Sequence, residues 1–421
     1  MLTGAIVAQG FVFATAVVVT QTREPLLPSD VPREAAPGAA ALAPPAEAPA
    51  GFDLISNGVV GAARFADALA EFTGPESFEE GLGPVFNAAG CGECHATPII
   101  GGSSQVVERR AGNWNGRTFT EHAGGSLIHD RSLFPDLQER VLPGNNVLAL
   151  RATTSILGLG FVEAIDSNTI AAIAARQPAA IRGQIVQVPV LEAPGALRVG
   201  RFGWKNQHAS LLSFSGDAYS GEMGISTPLF PVEPSSNGRP LPPGTDPFPG
   251  EPAVTDDTTN EDLDLFADFM RSTKVPPRNT AIASTPDARR GEQLFASIGC
   301  ASCHTPTIVT APAGTVINGG ACTVPPALGN KIIPPFSDFL LHDIGTGDGI
   351  VQNGGPSTRN KLRTVPLWGL RARGRFMHDG LSHDVGDAIA RHGGQAAPAR
   401  SGFNALSAGD RGRVLLFLSS L

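Results

Sequence analysis

"GCASCHTP" at residues 299–306 and "GCGECHATP" at residues 90–98 decide how this chain is read. Each sets two cysteines three positions apart with a histidine directly after, in a chain of 421 residues that has only five cysteines. Covalent attachment of a haem needs two thiols spaced to reach both vinyl groups, and an imidazole close by for an axial position on iron. C-x-x-C-H supplies all of these in one short stretch. A thioredoxin-type redox pair would instead be a single C-x-x-C beside a βαβ pattern, which the sequence lacks. A structural zinc site would bring its pairs within roughly 15 to 20 residues of each other. Here they lie about two hundred residues apart. Cys91, Cys94 and His95, and likewise Cys300, Cys303 and His304, therefore read as attachment sites for two covalently bound haem c groups. Cys322 is left over and reads as a partly buried free thiol.

The flanks of the two motifs repeat weakly. "ESFEEGLGPVFNAAGCGECHATP" (76–98) and "DARRGEQLFASIGCASCHTP" (287–306) each open on charged residues and end in a proline soon after the histidine. Each has a Phe five positions before the first Cys (Phe86, Phe295) and a Gly immediately before it. A short helix running straight into C-x-x-C-H is expected in both. The last segment, "LSAGDRGRVLLFLSSL" (406–421), has the apolar stripe of a helix able to pack across that first one. Another helix is predicted over "TNEDLDLFADFMRSTK" (259–274), with Leu263, Phe266, Phe269 and Met270 on one stripe and Pro276 and Pro277 as its stop. Residues 228–254 hold nine prolines and read as an irregular loop. The expected fold is mainly α: two cytochrome c-like haem domains, 53–275 and 276–421, with long irregular loops.

Charged residues are 17% and hydrophobic ones 42%, a balance that allows large cores. A net charge of -8 argues against nucleic acid as a partner. Residues 1–22 are apolar with no preceding Lys or Arg, and read as a signal peptide or membrane anchor. The Ala/Pro-rich residues 23–52 read as an extended, unpacked tether. Haem c is attached outside the cytoplasm in bacteria, so a periplasmic location is expected, with membrane contact only through an N-terminal anchor.

The sixth position on each iron decides between electron transfer and catalysis. By residue type the candidates are His122, His129, His208, His342, His378, His383 and His392, with Met223, Met270 and Met377. The stretch "TVPLWGLRARGRFMHDGLSHDVGDAIARHGG" (364–394) resembles the region of bacterial dihaem cytochrome c peroxidases that bears a Phe-x-His-Asp-Gly signature. There the sixth ligand of the C-terminal haem lies fourteen residues after the signature histidine. Phe376, His378, Asp379 and Gly380 match the signature, and fourteen residues after His378 stands His392 in place of the usual Met. Met377 is the runner-up.

Together with "GRFGWKNQHASLLSFSGDAYSGEMGISTPLFP" (200–231), "FLLHDIG" (339–345) and "LRTVPLWGL" (362–370), these motifs resemble the di-haem, or thiol, oxidoreductase family. That family branches from the superfamily of dihaem peroxidases, the dihaem enzyme that matures methylamine dehydrogenase, and dihaem rubber oxygenases. The resemblance runs from about residue 75 to the C-terminus.

It implies a peroxidase-like oxidoreductase that takes electrons at the C-terminal haem, from a small cytochrome c or cupredoxin, and reduces peroxide at the N-terminal haem. An oxygen-activating oxidation and a plain dihaem electron carrier are the alternatives. It further implies that Trp204 relays electrons between the haems and that Tyr219 lies over the distal face of the N-terminal one. Glu163 is the first choice for acid–base work there and His129 the second. The peroxidase's own glutamate lies in a Trp-Asp-Gly-Arg-Ala context that this chain lacks. Many relatives bind calcium through Thr and Pro shortly before the signature. Those places are Arg373 and Arg375 here, which puts calcium in doubt and offers partners for haem propionates.

Overall fold

The computed structural model describes residues 26–35, 44–253, 255–257, 259 and 261–421. The expected signal peptide or anchor, residues 1–22, lies outside them. Among the described residues no helix is long and apolar enough to cross a membrane.

Two crossed helix pairs organise the chain around the two motifs. Helix Ala62–Thr73 packs on helix Glu261–Ser272, and helix Pro286–Ser297 packs on helix Ala408–Leu418. Each contact follows from an apolar stripe at helical spacing. Phe65, Ala68 and Phe72 meet Leu263, Phe266, Phe269 and Met270 in the first pair, all of them buried. Leu294 and Phe295 meet Val414, Phe417 and Leu418 in the second. Ring centres lie 4.5 Å apart for Phe72 and Phe269 and 5.3 Å apart for Phe295 and Phe417. The second crossing depends on a missing side chain, because a Cβ on Gly291 would stand 2.0 Å from the carbonyl oxygen of Arg413. Helix Pro286–Ser297 starts on Pro286 with the Thr285 side chain accepting from the Ala288 amide at 3.2 Å, a favourable N-terminus.

"Mainly α" describes this architecture only loosely. Helix makes up 33% of the chain and strand 16%. The largest sheet is antiparallel and centred on Val107–Trp114, which pairs with Phe119–Glu121, Leu127–Ile128 and Val147–Ala152. Over residues 228–253 the Pro-rich stretch is irregular apart from one short turn at Ser236–Gly238 and the isolated bridge of Phe230 to Thr227.

Two expectations need correction. No helix runs straight into the first motif: Ala62–Thr73 ends well short of Cys91, and Phe86 sits in the short strand Val85–Phe86. The aromatic equivalent to Phe295 is Phe72, whose ring lies 6.1 Å from that of His95, as Phe295 lies 6.1 Å from His304. Spacing along the chain missed this because a loop stands between helix and motif in one half only. The described part of the 23–52 tether is also packed rather than free. Ala46–Glu47 pairs in parallel with Lys331–Ile333, and Glu34 reaches the buried Arg198 at 2.7 Å. Even an Ala/Pro-rich segment carries backbone groups that complete a sheet edge, and a buried guanidinium needs a carboxylate.

Candidate functional site

The C-terminal motif opens onto an apolar cavity of about 1750 Å³, measured out to its open mouth. Cys300, Cys303, His304 and His392 line it, with Phe295, Leu367, Ile389 and Phe403 among its walls. Gly299, at a φ of +96°, turns the chain from helix Pro286–Ser297 into the short turn Cys300–Ser302. His304 Nδ1 lies 3.0 Å from the Phe336 carbonyl oxygen and donates to it, which leaves Nε2 as the ligand atom. His392 repeats the arrangement at 2.7 Å from the Ala388 carbonyl. The two ring centres are 6.5 Å apart across the cavity. Two imidazole–metal bonds of roughly 2 Å, plus half a ring on each side, come to about 6 Å, so the gap has room for one metal ion. Burial, reinforced by His392, pushes His304 down to about 4, and burial lowers His392 as well, so both rings are neutral at pH 7 and able to bind a metal.

Two arginines in the same cavity wall have no carboxylate partner among the described residues. Arg363 Nε donates to the Gly203 carbonyl at 2.8 Å, and its Nη1 has no partner. Arg373 Nη2 donates to the carbonyls of Pro366 at 2.6 Å and Trp368 at 3.2 Å. Burial pushes both guanidinium groups down to about 10, with Arg373 adding to the effect on Arg363. Buried cations of this kind call for an anion brought by a ligand. Met377 forms part of the wall with a φ of +66°, a left-handed conformation that costs a non-glycine residue energy.

The N-terminal motif is built on the same plan. His95 Nδ1 lies 3.2 Å from the Gly102 carbonyl oxygen, and the Thr154 carbonyl also reaches the ring. Among the described residues, however, no second imidazole stands in ring contact with His95; its ring neighbour is Phe72. Burial pushes the thiols up, Cys91 to about 12 and Cys94 to about 11, with Cys300 also at about 12. Such thiols lack the lowered pKa of a thiol–disulfide redox pair.

Close to Cys94 lies a partly buried carboxyl pair that spacing along the chain does not reveal. Glu222 follows Tyr219 in the π-helical turn Tyr219–Met223, a feature that recurs at functional sites. Asn87 Nδ2 donates to Glu222 Oε2 at 2.8 Å. Against the cost of burial, Arg110, whose Nε lies 2.5 Å from Oε1, holds Glu108 ionised. Burial and the neighbouring Glu108 charge then push Glu222 far above the ordinary carboxyl range, so the pair shares a proton at neutral pH. The sequence signals were slight: Glu108 and Arg110 sit two apart on one strand face, and Glu222 lies within the stretch 200–231.

Trp204 joins the C-terminal cavity wall to the strand end that carries Ala152. It lines the C-terminal cavity, and its ring centre is 6.1 Å from that of His378. Its Nε1 donates to the Ala152 carbonyl at 2.9 Å, while the carbonyl of Thr154, two residues on, reaches the His95 ring. The next residue, Lys205, is fully buried. Its Nζ donates to the carbonyls of Thr358 (3.1 Å), Arg359 (2.9 Å) and Lys361 (2.8 Å) and pairs with Asp348 Oδ1 at 2.8 Å. Arg151 pairs with the other oxygen of Asp348 at 2.9 and 2.8 Å. Trp204 and Lys205 are thus both pinned to the strand end at Arg151 and Ala152.

Residues 131–421 match the family described as "Di-haem oxidoreductase, putative peroxidase". The chain is a di-haem oxidoreductase. Membership implies two haems and a haem-dependent oxidoreductase activity. The motif at Cys91–His95 lies N-terminal to the matched span. No match was found among curated proteins. Among solved structures, the chain is similar to a hydrazine synthase from Kuenenia stuttgartiensis, at 13% identity and TM-score 0.39 over 100% of both chains. A MauG-like protein associated with microbial copper homeostasis shares 14% identity at TM-score 0.40, over 91% of this chain and 94% of that one. A diheme peroxidase variant from Burkholderia thailandensis shares 14% identity at TM-score 0.38, over 92% and 94%.

In this di-haem oxidoreductase, Glu163 is not placed for acid–base work. Its carboxylate accepts from Arg271 Nε (2.7 Å), the Leu211 amide (2.8 Å) and Asn318 Nδ2 (3.1 Å). Burial would raise its pKa, but Arg271 outweighs burial and holds it at about 2. Glu163→Gln is expected to cost about 3–5 kcal/mol, because it leaves the Arg271 charge buried and unpaired. Urea unfolding would measure that loss, and the pH profile of turnover should not move. His129 is also engaged, with Nδ1 2.8 Å from Glu139 Oε2 and Nε2 2.8 Å from the Gly221 carbonyl. Tyr219 is buried with Oη 3.0 Å from Glu76 Oε1 and 3.4 Å from Asp262 Oδ2. Burial and Glu76 raise its phenol pKa, which keeps it protonated. At the two positions before the signature where relatives use Thr and Pro, Arg373 and Arg375 bring positive charge, which does not suit calcium.

Proposed function

We propose that the chain is an exported c-type di-haem enzyme that reduces hydrogen peroxide at the His95 site, with electrons entering at the His304 site. The overall reaction is H2O2 + 2 e⁻ + 2 H⁺ → 2 H2O, the electrons coming from an external donor such as a small cytochrome c or cupredoxin. One observation carries this reading: His304 faces a second imidazole, His392, across its cavity, whereas among the described residues no imidazole is in ring contact with His95. A closed centre suits electron transfer and an open one suits chemistry.

When bound, the haems would supply the electron storage and the peroxide-cleaving chemistry. Cys91 and Cys94, and Cys300 and Cys303, would tether them, and His95, His304 and His392 would hold their iron. Arg363 and Arg373 supply the unpaired charges that propionates need. Trp204 would relay electrons between the two centres; its Nε1 donates to the Ala152 carbonyl, two residues from Thr154, whose carbonyl reaches the His95 ring. Glu222, protonated at neutral pH, holds a proton on its carboxyl for the departing oxygen of peroxide, and Glu108 holds the charge that keeps it there.

Low-temperature electron paramagnetic resonance of the oxidised and half-reduced protein tests the assignment. A low-spin bis-imidazole signal beside a high-spin one, from the outset or on half-reduction, is the expected result. Two low-spin signals that persist in both states would overturn the enzyme reading and leave an electron carrier.

A further inference from the structure

Tyr219 is the only tyrosine among the 421 residues, and its setting is more than packing calls for. The residue is 2% exposed and opens the π-helical turn Tyr219–Met223. Its Oη donates to Glu76 Oε1 at 3.0 Å, with Asp262 Oδ2 3.4 Å away. Phenylalanine, which occurs 22 times in this chain, would fill the same space with no hydroxyl to satisfy. Glu76 is fixed beside the first motif: its amide donates to the Ala89 carbonyl at 2.7 Å, and its charge reaches the Cys91 thiol. A Cβ on Gly90 would stand 2.4 Å from the Gly74 carbonyl oxygen, so the missing side chain lets these two segments close.

A continuous run of rings leads from the phenol to His95. Tyr219 meets Phe266 edge to face with ring centres 5.1 Å apart, Phe266 meets Phe72 at 6.3 Å, and Phe72 meets His95 at 6.1 Å. Each spacing lies within the range of aromatic contact, and Phe72, Phe266 and Tyr219 are all buried. Of these rings the phenol gives up an electron most easily, provided a base takes its proton at the same time. Glu76 Oε1 stands at hydrogen-bond distance to be that base.

We propose that Tyr219 is an oxidisable site of the N-terminal centre, giving one electron to that centre and its phenol proton to Glu76. The inference rests on the peroxide-reducing reading above. Reduction of peroxide takes two electrons, and Tyr219 supplies one of them when the external donor has delivered too few. The phenol O–H bond breaks, the electron passes to the centre oxidised by hydrogen peroxide, and the proton goes to Glu76 Oε1. A neutral tyrosyl radical remains until the external donor returns the electron and Glu76 the proton. Burial pushes Glu76 up to about 7 against the hydrogen bond from Tyr219, with Glu71 and Asp262 adding to the rise. A carboxylate so tuned takes up a proton near neutral pH.

The test is electron paramagnetic resonance of the holoprotein, frozen soon after mixing with stoichiometric hydrogen peroxide and no electron donor. Because the chain has one tyrosine, growth on ring-deuterated tyrosine labels Tyr219 alone. We expect an organic-radical signal that narrows on deuteration and is lost in Tyr219→Phe. Glu76→Gln should slow its appearance by about 10²-fold or more, as for the loss of a positioned base. Haem absorbance and the resting resonance signals report whether each variant is folded. A radical that ignores both the label and Tyr219→Phe belongs to another ring, such as Trp204, and overturns the proposal. Peroxide consumed with no organic radical overturns it too, leaving Tyr219 a packing residue. Peroxide left unconsumed sinks the peroxide-reducing reading itself, and this inference with it.

Discussion

Glu222→Gln is expected to lower peroxide turnover by about 10²–10⁴-fold, the range for losing a positioned acid–base group. Haem content and the low-spin signal of the His304 site should be unchanged, because Glu222 lies beside Cys94 and not in the C-terminal cavity. The pH dependence separates a proton-donating role from a structural one. Glu222 is pushed up, so its acid form persists through neutral pH and is lost as the pH rises through the raised value. Wild-type turnover should therefore fall on the alkaline side, and the amide variant, which cannot ionise, should lack that limb. Steady-state kinetics with a reduced cytochrome across the pH range would show both effects. An alkaline limb that survives in Glu222→Gln would assign the proton to another group.

His392→Met should raise the reduction potential of the C-terminal centre and replace its bis-imidazole signal. Axial-ligand identity moves haem potentials across about 0.8 V in all, and a thioether in place of an imidazole favours the reduced state. The physical basis is the 6.5 Å ring separation from His304 and the hydrogen bond to Ala388 that frees Nε2. A redox titration followed by absorbance, with resonance spectra of the oxidised variant, would measure it. Packing alone predicts an unmoved potential and signal, and that outcome would shift the assignment to Met377 or another group of the cavity wall.

Cofactor chemistry was legible in the sequence because C-x-x-C-H packs its whole requirement into five consecutive residues. The helix pairs were legible where one stripe was continuous, as at Leu263, Phe266, Phe269 and Met270. The resemblance to the signature stretch pointed to His392, fourteen residues after His378, and the residue stands just beyond the short helix Val385–Ala390. Glu163 was misjudged for the opposite reason. Nothing in "LGLGFVEAI" reveals that Arg271, 108 residues away, closes on its carboxylate.

The sequence by itself therefore determined the local matters: two motifs able to hold haem, the helices with continuous apolar stripes, and the irregular Pro-rich loop. Only the tertiary structure decided which charges meet. It brought Glu108 and Arg110 to Glu222, tied Trp204 to the strand beside His95, left Arg363 unpaired in the cavity wall, and set Tyr219 against Glu76. Spacing along a chain governs contacts within one turn or strand. Burial and the partner of a charge depend on segments a hundred or more residues apart, and those two quantities set the protonation of each carboxyl.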